Sequence, residues 1–336
     1  MAQFTDFIPQ NTALSGVRRI GIYDSNGNRA GFIPLGPLTP PAIGKRLYSF
    51  GAIADIHVVF DTAAEDFQKA LTFFNDAGVN FICICGDLGY MGTEDELQQY
   101  KAITDAYSNG IPIYVAAGNH EYYASTSNAY YEQYTGSPLY YTVEKDNDVF
   151  IMFGVVSGTQ GNFFEEGSLQ WLYEMLEVNR NKRCFLFQHI LLDDGCGDIH
   201  NLYGNKLSSA TTEGVVFKSL LSHYPNVIFF HGHSHVRFYL QEDGDTANYD
   251  KLYGCHSVHI PSLSVPRDVN DDNSAFEIYY GGSEGYVVDV YENGIHLRGR
   301  DFVKGQFLPI ASYWLDTTLH TVEAGTYTDS TGTITP

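Results

Sequence analysis

Residues 229–239 read FFHGHSHVRFY and set three histidines in five positions directly behind an apolar run, in a chain with 12 histidines among 336 residues. On an extended chain His231, His233 and His235 share one side while Ser234 faces the other. Gly232 lets the backbone approach a neighbour closely or adopt φ > 0. The preceding "NVIFF" (226–230) is continuously apolar, the character of a strand buried on both faces. The histidines therefore stand at the carboxyl end of a buried strand, and the fold turns on which other strands end beside it.

Working outward, four more apolar runs finish in the same way. "YSFGAIA" (48–54) leads into Asp55-Ile56-His57, "VNFICIC" (79–85) into Gly86-Asp87, "IPIYVAA" (111–117) into Gly118-Asn119-His120-Glu121, and "RCFLF" (183–187) into Gln188-His189. Between them lie helical signals. In "AEDFQKALTFFNDAG", Phe67, Ala70, Leu71 and Phe74 fall on one face, with Thr62 and Glu65 at capping-box spacing. "TEDELQQYKAITDAYSNG" opens on a second such pair, Thr93 and Glu96. "SLQWLYEMLEVNR" and a stretch near 213–223 complete the helices. Asp55 to Asp87 and Asp87 to Asn119 are each 32 residues apart, about one βαβ unit of roughly 30 residues. The order β-α-β-α-β predicts an α/β fold with right-handed crossovers, and open α/β sheets bind ligands at their strands' carboxyl ends.

The rest of the chain frames this core. Residues 1–47 read as an arm: two apolar stretches around Asn26-Gly27 suggest a hairpin, and "PLGPLTPPAIGK" (34–45) an extended linker. The main domain is drawn over 48–310 and a Thr-rich tail over 311–336. After His235 the chain turns mostly β, with "VRFYL", "FEIYY" and "EGYVVDVYENGIHLRGRDFV" as strands. His200, His256, His259 and Arg267 are expected in loops or on β edges, as surface or hydrogen-bonding groups. Arg267 has the further capacity to meet a phosphate or carboxylate.

Composition narrows the class. A hydrophobic fraction of 44%, with 25 Tyr and 22 Phe, supports a globular core. A net charge of −21 repels polyanions and argues against a protein that coats nucleic acid. The five cysteines are odd in number; Cys83 and Cys85 alternate in "FICIC" and are expected on opposite strand faces, unpaired, in a reducing compartment. The start "MAQFTDFIPQ" lacks the basic and apolar regions of a signal peptide, and no apolar run nears the roughly 18 residues that span a bilayer. The expectation is a soluble, cytoplasmic protein, with association with a phage particle as the alternative; oligomeric state is left open.

Taken singly, an Asp behind a strand is a turn former or helix N-cap, and a lone His a hydrogen-bonded polar group. Two Asp, one Asn and four His gathered at five strand ends are different, because burying such a set without cations is very unfavourable. Imidazole and oxygen ligands without cysteine suit Mn, Fe or Zn rather than Ca or a thiolate zinc finger.

The ordered blocks D-x-H, G-D, G-N-H-[DE], H and G-H-x-H, over about 48–240, resemble the calcineurin-like metallophosphoesterase superfamily. The resemblance implies a four-layer α/β/β/α sandwich of mixed sheets and two metal ions. It implies Asp55, His57 and His235 on the first metal, Asn119, His189 and His233 on the second, and Asp87 bridging them. It also implies attack on phosphorus by a hydroxide lying between the metals, with His120 protonating the leaving group and Glu121 in the acidic position beside it. His231 lies outside the pattern and is read as structural or as orienting a ligand. The chain lacks the Arg-containing extension that Ser/Thr protein phosphatases carry after G-D, so it looks more like the phosphodiesterase branch, although that branch commonly reads G-N-H-D where this chain has Glu121. Hydrolysis of phosphodiesters, of small or polymeric substrates, is the leading expectation. A phosphomonoesterase, such as a nucleotidase or protein phosphatase, is the second. A structural component retaining the metal-binding fold, similar to metallophosphoesterase-like proteins of bacteriophage tail modules, is the third.

Overall fold

The computed structural model describes residues 19–23, 29–34, 44–123, 129–239, 248–251, 253–270, 274–317, 327–328 and 333–334. The chain divides into two compact units, residues 1–41 and 42–336. In the first, β1 (Arg19–Tyr23) pairs antiparallel with β2 (Arg29–Pro34), Arg19 opposite Pro34. The Asn26-Gly27 turn and most of the proline-rich linker lie outside the described residues.

The second unit holds two six-stranded mixed sheets. In the first sheet β3 (Arg46–Ile53), β4 (Phe81–Cys85) and β5 (Ile113–Ala116) run parallel, joined by α1 (Ala63–Ala77) and α2 (Glu94–Tyr107). After α3 (Ala129–Thr135) comes the second sheet: β6 (Tyr140–Lys145), β7 (Asp148–Phe153), α4 (Ser168–Val178), β8 (Arg183–Phe187), α5 (Thr212–His223), β9 (Val227–His231), β10 (Tyr249–Asp250) and β11 (His256–His259). A small ladder of β12 (Arg267–Val269) and β13 (Phe276–Ile278) follows. Then β14 (Glu284–Tyr291), β15 (Gly294–Asp301) and β16 (Gln306–Asp316) return to the first sheet. The sheet orders are β16-β15-β14-β3-β4-β5 and β10-β11-β9-β8-β7-β6.

Three apolar clusters define four layers. Phenylalanines fill the space between the sheets: Phe50 and Phe81 from the first meet Phe150, Phe185, Phe187 and Phe230 from the second. Phe150 stacks on Phe185 at 4.6 Å and Phe187 on Phe230 at 4.8 Å between ring centroids, spacings that aromatic pairs favour. Outside the first sheet, Phe67, Ala70, Leu71 and Phe74 of α1 and Leu97, Tyr100 and Ile103 of α2 cover Ile53, Ile82 and Ile84. Outside the second, Leu172 and Leu176 of α4 and Phe217, Leu220 and Leu221 of α5 cover Ile151, Leu186 and Phe229. This is the α/β/β/α arrangement.

Several local expectations change. Cys83 and Cys85 share the inner face and belong to one cluster, as residues two apart in a strand must; all five cysteines are free. Thr93 and Glu96 form the capping box at α2, but Thr62 makes no cap bond and donates instead to Asp66. Of "VRFYL", residues 236–239 give only an isolated bridge, Val236 to Arg267, and Leu240 lies outside the described residues. His256 and His259 are not on an edge: they lie buried in β11, between β10 and β9. The boundary drawn at residue 310 falls inside β16, whose Ala311, Tyr313 and Leu315 enter the core. Among the described residues no helix is long and apolar enough to cross a membrane.

Candidate metal centre

The strand ends converge. β3 delivers Asp55 and His57, β4 Asp87, β5 Asn119 and His120, β8 His189, and β9 His233 and His235. Two groups have ligand atoms lying within 4.8 Å of one another: Asp55, His57, Asp87 and His235, and Asp87, His189 and His233. Asp87 belongs to both. The backbone there is unusual, since Asp55, His57, Asp87, His233 and His235 all have positive φ, between 44° and 74°. Such conformations cost of order 1–3 kcal/mol each and persist where the surroundings over-determine them. Two glycines permit the approach: a Cβ on Gly118 would collide with Asp87 Oδ1, and one on Gly232 with Asp55 Oδ2.

Hydrogen bonds fix how each imidazole faces the cluster. Carbonyl oxygens only accept, so a ring nitrogen bonded to one carries its proton there and directs a lone pair from the other nitrogen. His57 Nδ1 donates to Gly89 O at 2.9 Å, His235 Nδ1 to Val265 O at 3.2 Å, and His189 Nδ1 to Cys85 O at 2.6 Å. His233 is turned the other way, Nε2 donating to Asn205 O at 3.0 Å. The remaining nitrogens then face each other: His57 Nε2 and His235 Nε2 at 3.3 Å, His233 Nδ1 and His189 Nε2 at 3.2 Å. Lone pairs so placed repel unless a cation or proton lies among them. Oxygens tell the same story. Asn119 Nδ2 donates to Tyr123 Oη at 2.7 Å, leaving Oδ1 buried without a hydrogen bond, and the buried Asp87 Oδ2 has the His189 ring nitrogen at 3.0 Å. The donor set fits metal ions: imidazole nitrogens of His57, His235, His189 and His233 gather within 4.8 Å of carboxylate oxygens in two groups that share Asp87.

A family model described as calcineurin-like phosphoesterase matches residues 48–237. The chain belongs to the calcineurin-like phosphoesterases. Dimetal phosphoesterases of this family use two metal ions, and the buried His/Asp cluster of this chain is able to hold them. Among solved structures, a dimetal phosphatase from Danio rerio aligns at TM-score 0.57 and 15% identity over 82% of this chain and 100% of its own. Purple acid phosphatase PPD1 from yellow lupin aligns at 0.57 and 13%, over 89% of this chain and 59% of its own. GAP50, titled the anchor in the inner membrane complex of Plasmodium, aligns at 0.55 and 15%, over 86% and 99%. At such identities the likeness is one of fold. Comparison with curated proteins gave no match.

The charge balance of the phosphoesterase centre follows from burial and proximity. Burial pulls His189 down, but the Asp87 and Asp55 carboxylates outweigh it and push it up to about 10. Asp87 is held well below the carboxylate range, burial being overcome by His189 and His120. Burial lowers His57 to about 3 and drives His233 well below the ordinary histidine value. Without cations the cluster thus collects a proton on His189, beside Asp87 Oδ2 at 3.0 Å; a metal ion competes for that position. No lysine or arginine pairs with Asp55 or Asp87 among the described residues.

His120 differs from the buried histidines. Its Nδ1 donates to Tyr90 O at 2.5 Å, its Nε2 lies 3.8 Å from Asp87 Oδ2, and its side chain is 17% exposed. Glu121 does not join the cluster. It accepts from the backbone N–H of Leu88 at 2.6 Å, Asp87 at 3.0 Å and Gly118 at 2.6 Å, stapling the β4 and β5 loops together. Burial, then Asp87, raises it to about 7. His231 lies outside both groups, with Nε2 3.4 Å from Cys196 Sγ. His259 Nε2 meets Ser234 Oγ at 2.9 Å and so braces the loop between His233 and His235, a role the sequence did not signal. Tyr203, also unforeseen, packs 4.7 Å from the His233 ring, and the Arg267 guanidinium lies 5.6 Å from the Tyr203 ring. The side chain of His200 lies outside the described residues.

Proposed function

We propose that this phosphoesterase hydrolyses phosphodiesters. One cation would be held by Asp55, His57, His235 and Asp87, the other by Asn119, His189, His233 and the shared Asp87. Cations there supply Lewis acidity, gripping phosphate oxygens and acidifying water. The chain's own residues do the rest. Asp87 would serve both positions, Glu121 and the backbone carbonyls hold the ligand side chains in place, and His120 offers the one partly exposed imidazole of the cluster. A water gives one proton to solvent and its oxygen bonds to phosphorus as the bond to the leaving oxygen breaks; His120 gives that oxygen a proton and regains one from solvent.

The observation that carries this reading is the pair of facing imidazole lone pairs around one buried carboxylate, with a solvent-reaching histidine at its rim. The diester preference is supported by the stretch beginning at Gly86-Asp87, GDLGYMGTEDELQQYK, which lacks the Arg-containing extension of the Ser/Thr protein phosphatases. Rates on bis-nitrophenyl phosphate and nitrophenyl phosphate, with added manganese, test it. Faster turnover of the diester is expected; faster turnover of the monoester would defeat the diester preference. His120→Ala should lower turnover by about 10²- to 10⁴-fold with metal content unchanged, and metal loss in that variant would make His120 a ligand instead. Cytoplasmic residence remains our reading from the sequence.

The monoesterase alternative draws on the two solved phosphatases of similar fold. The assembly alternative draws on the Plasmodium anchor of similar fold. Metal content together with turnover separates it from both enzyme readings.

A further inference from the structure

His120 stands between two aromatic rings. Its imidazole centroid lies 5.3 Å from that of Tyr90 and 4.4 Å from that of Tyr123. Tyr90 packs at 5.0 Å on Phe60, and Phe60 at 5.5 Å on His57. Each ring comes from a different loop: Phe60 follows Asp55 and His57, Tyr90 follows Asp87, and Tyr123 follows Asn119 and His120. These rings are not core. Phe60 is 37% exposed and Tyr90 and Tyr123 45% each; with Val59 and Met91 they make five of the fourteen exposed large hydrophobic residues among the described ones. All five occupy the three loops that position the first sheet's cluster residues. Clustered exposed apolar groups beside convergent polar ones mark a ligand site rather than ordinary surface.

Position and charge say what the site takes. The proton donated by His120 goes to the leaving oxygen, so the rings beside His120 face the leaving group; this step rests on the reading of His120 given above. The ring-bearing side chains are uncharged, in a chain of net charge −21, so the leaving group they suit is neutral and flat. We propose that Phe60, Tyr90 and Tyr123 form a leaving-group site for a planar aromatic ring, carried by a nucleoside or an aryl-bearing alcohol. The phosphoryl end faces the cations while the ring lies along the aromatic ridge. Stacking of a base on such a side chain is worth on the order of tenfold in affinity.

The test compares esters whose leaving groups are all primary alcohols and that differ in whether the alcohol carries a planar aromatic ring. Nucleoside 5′-phosphate is set against ribose 5-phosphate, and benzyl phosphate against cyclohexylmethyl phosphate, each also as its methyl diester, with manganese-loaded protein. The ring-bearing member should be preferred by about tenfold or more, mainly through KM. Preference in the nucleoside pair alone identifies a base site; preference in both identifies a general aryl site. The ratio should collapse to within about threefold in Phe60→Ala and in Tyr90→Leu, and persist in Tyr90→Phe. Should Tyr90→Leu fail to fold, Phe60→Ala alone carries the comparison. Ratios near one in the parent protein, or a ratio untouched by Phe60→Ala, would overturn the proposal. If metal-loaded protein turns over neither these esters nor bis-nitrophenyl phosphate, the hydrolytic reading fails; calorimetric affinities for the same pairs then decide the ring site by the same ratios.

Discussion

At the scale of the residue, Glu284 is the most informative group outside the metal centre. It is fully buried; Oε2 accepts from Phe238 N–H at 2.7 Å, while Oε1 has no hydrogen-bond partner. Burial foremost, with Asp301 contributing, raises its pKa from 4.5 to about 7. The folded chain therefore binds a proton between those values that the unfolded chain does not. Stability falls as pH rises through that window, by on the order of 3 kcal/mol from this group. Glu284→Gln should flatten the dependence of the urea midpoint on pH between 5 and 8 and exceed the parent at pH 8; an unchanged slope would refute the assignment. Gly118→Ala, which drives a methyl group into Asp87, should weaken metal binding about 10- to 100-fold in a chelator competition. The sequence marked the proposed ligand side chains because Asp, His and Asn carry their chemistry in their identity. It did not show what orients them. The carbonyls of Gly89, Cys85, Asn205, Val265 and Tyr90 set the tautomers, and every residue has a carbonyl, so no letter betrays one.

At the scale of the element, a buried group ties the sheets at the strands' amino ends. Arg183 of β8 donates from Nε to Asp148 Oδ1 at 2.9 Å and from Nη2 to Oδ2 at 2.5 Å, and Tyr48 of β3 donates to the same Oδ2 at 2.5 Å. Arg183 Nη1 also reaches Tyr291 O of β14 at 2.8 Å. Arg183→Ala would leave the Asp148 charge buried and unpaired and should cost about 3–5 kcal/mol in chemical denaturation. The two helix starts form a matched pair. Thr93→Ala should cost about 1 kcal/mol, since its hydroxyl caps α2, whereas Thr62→Ala acts through the lost bond to the Asp66 carboxylate and should cost about 1–2 kcal/mol. In an Asp66→Ala background the Thr62→Ala effect should vanish and the Thr93→Ala effect persist; a Thr62 effect that survives there would contradict the distinction. Periodicity revealed the strands and helices because apolar faces recur along them. Spacing alone could not separate the two threonines, nor show that residues 236–239 make a bridge rather than a strand, because both depend on where the backbone turns.

At the scale of the whole molecule, the centre is an inter-sheet clamp. Asp55, His57, Asp87 and Asn119 come from the first sheet, His189, His233 and His235 from the second, and the Arg183 group holds the strands' opposite ends. Metal that binds only this folded arrangement stabilises it by roughly 3 kcal/mol at a hundredfold excess over Kd. Chelation should therefore lower the melting temperature by roughly 5 °C, reversibly on adding manganese, iron or zinc. The alternation of strands and helices made the α/β class legible. The division of ligands between two sheets was not, because a motif preserves order along the chain and says nothing of which sheet receives each strand. The most direct test is anomalous diffraction from metal-loaded crystals. Two peaks are predicted, one among Asp55, His57, Asp87 and His235 and one among Asp87, Asn119, His189 and His233, sharing Asp87. A single peak, or none at saturating metal, would contradict the binuclear centre.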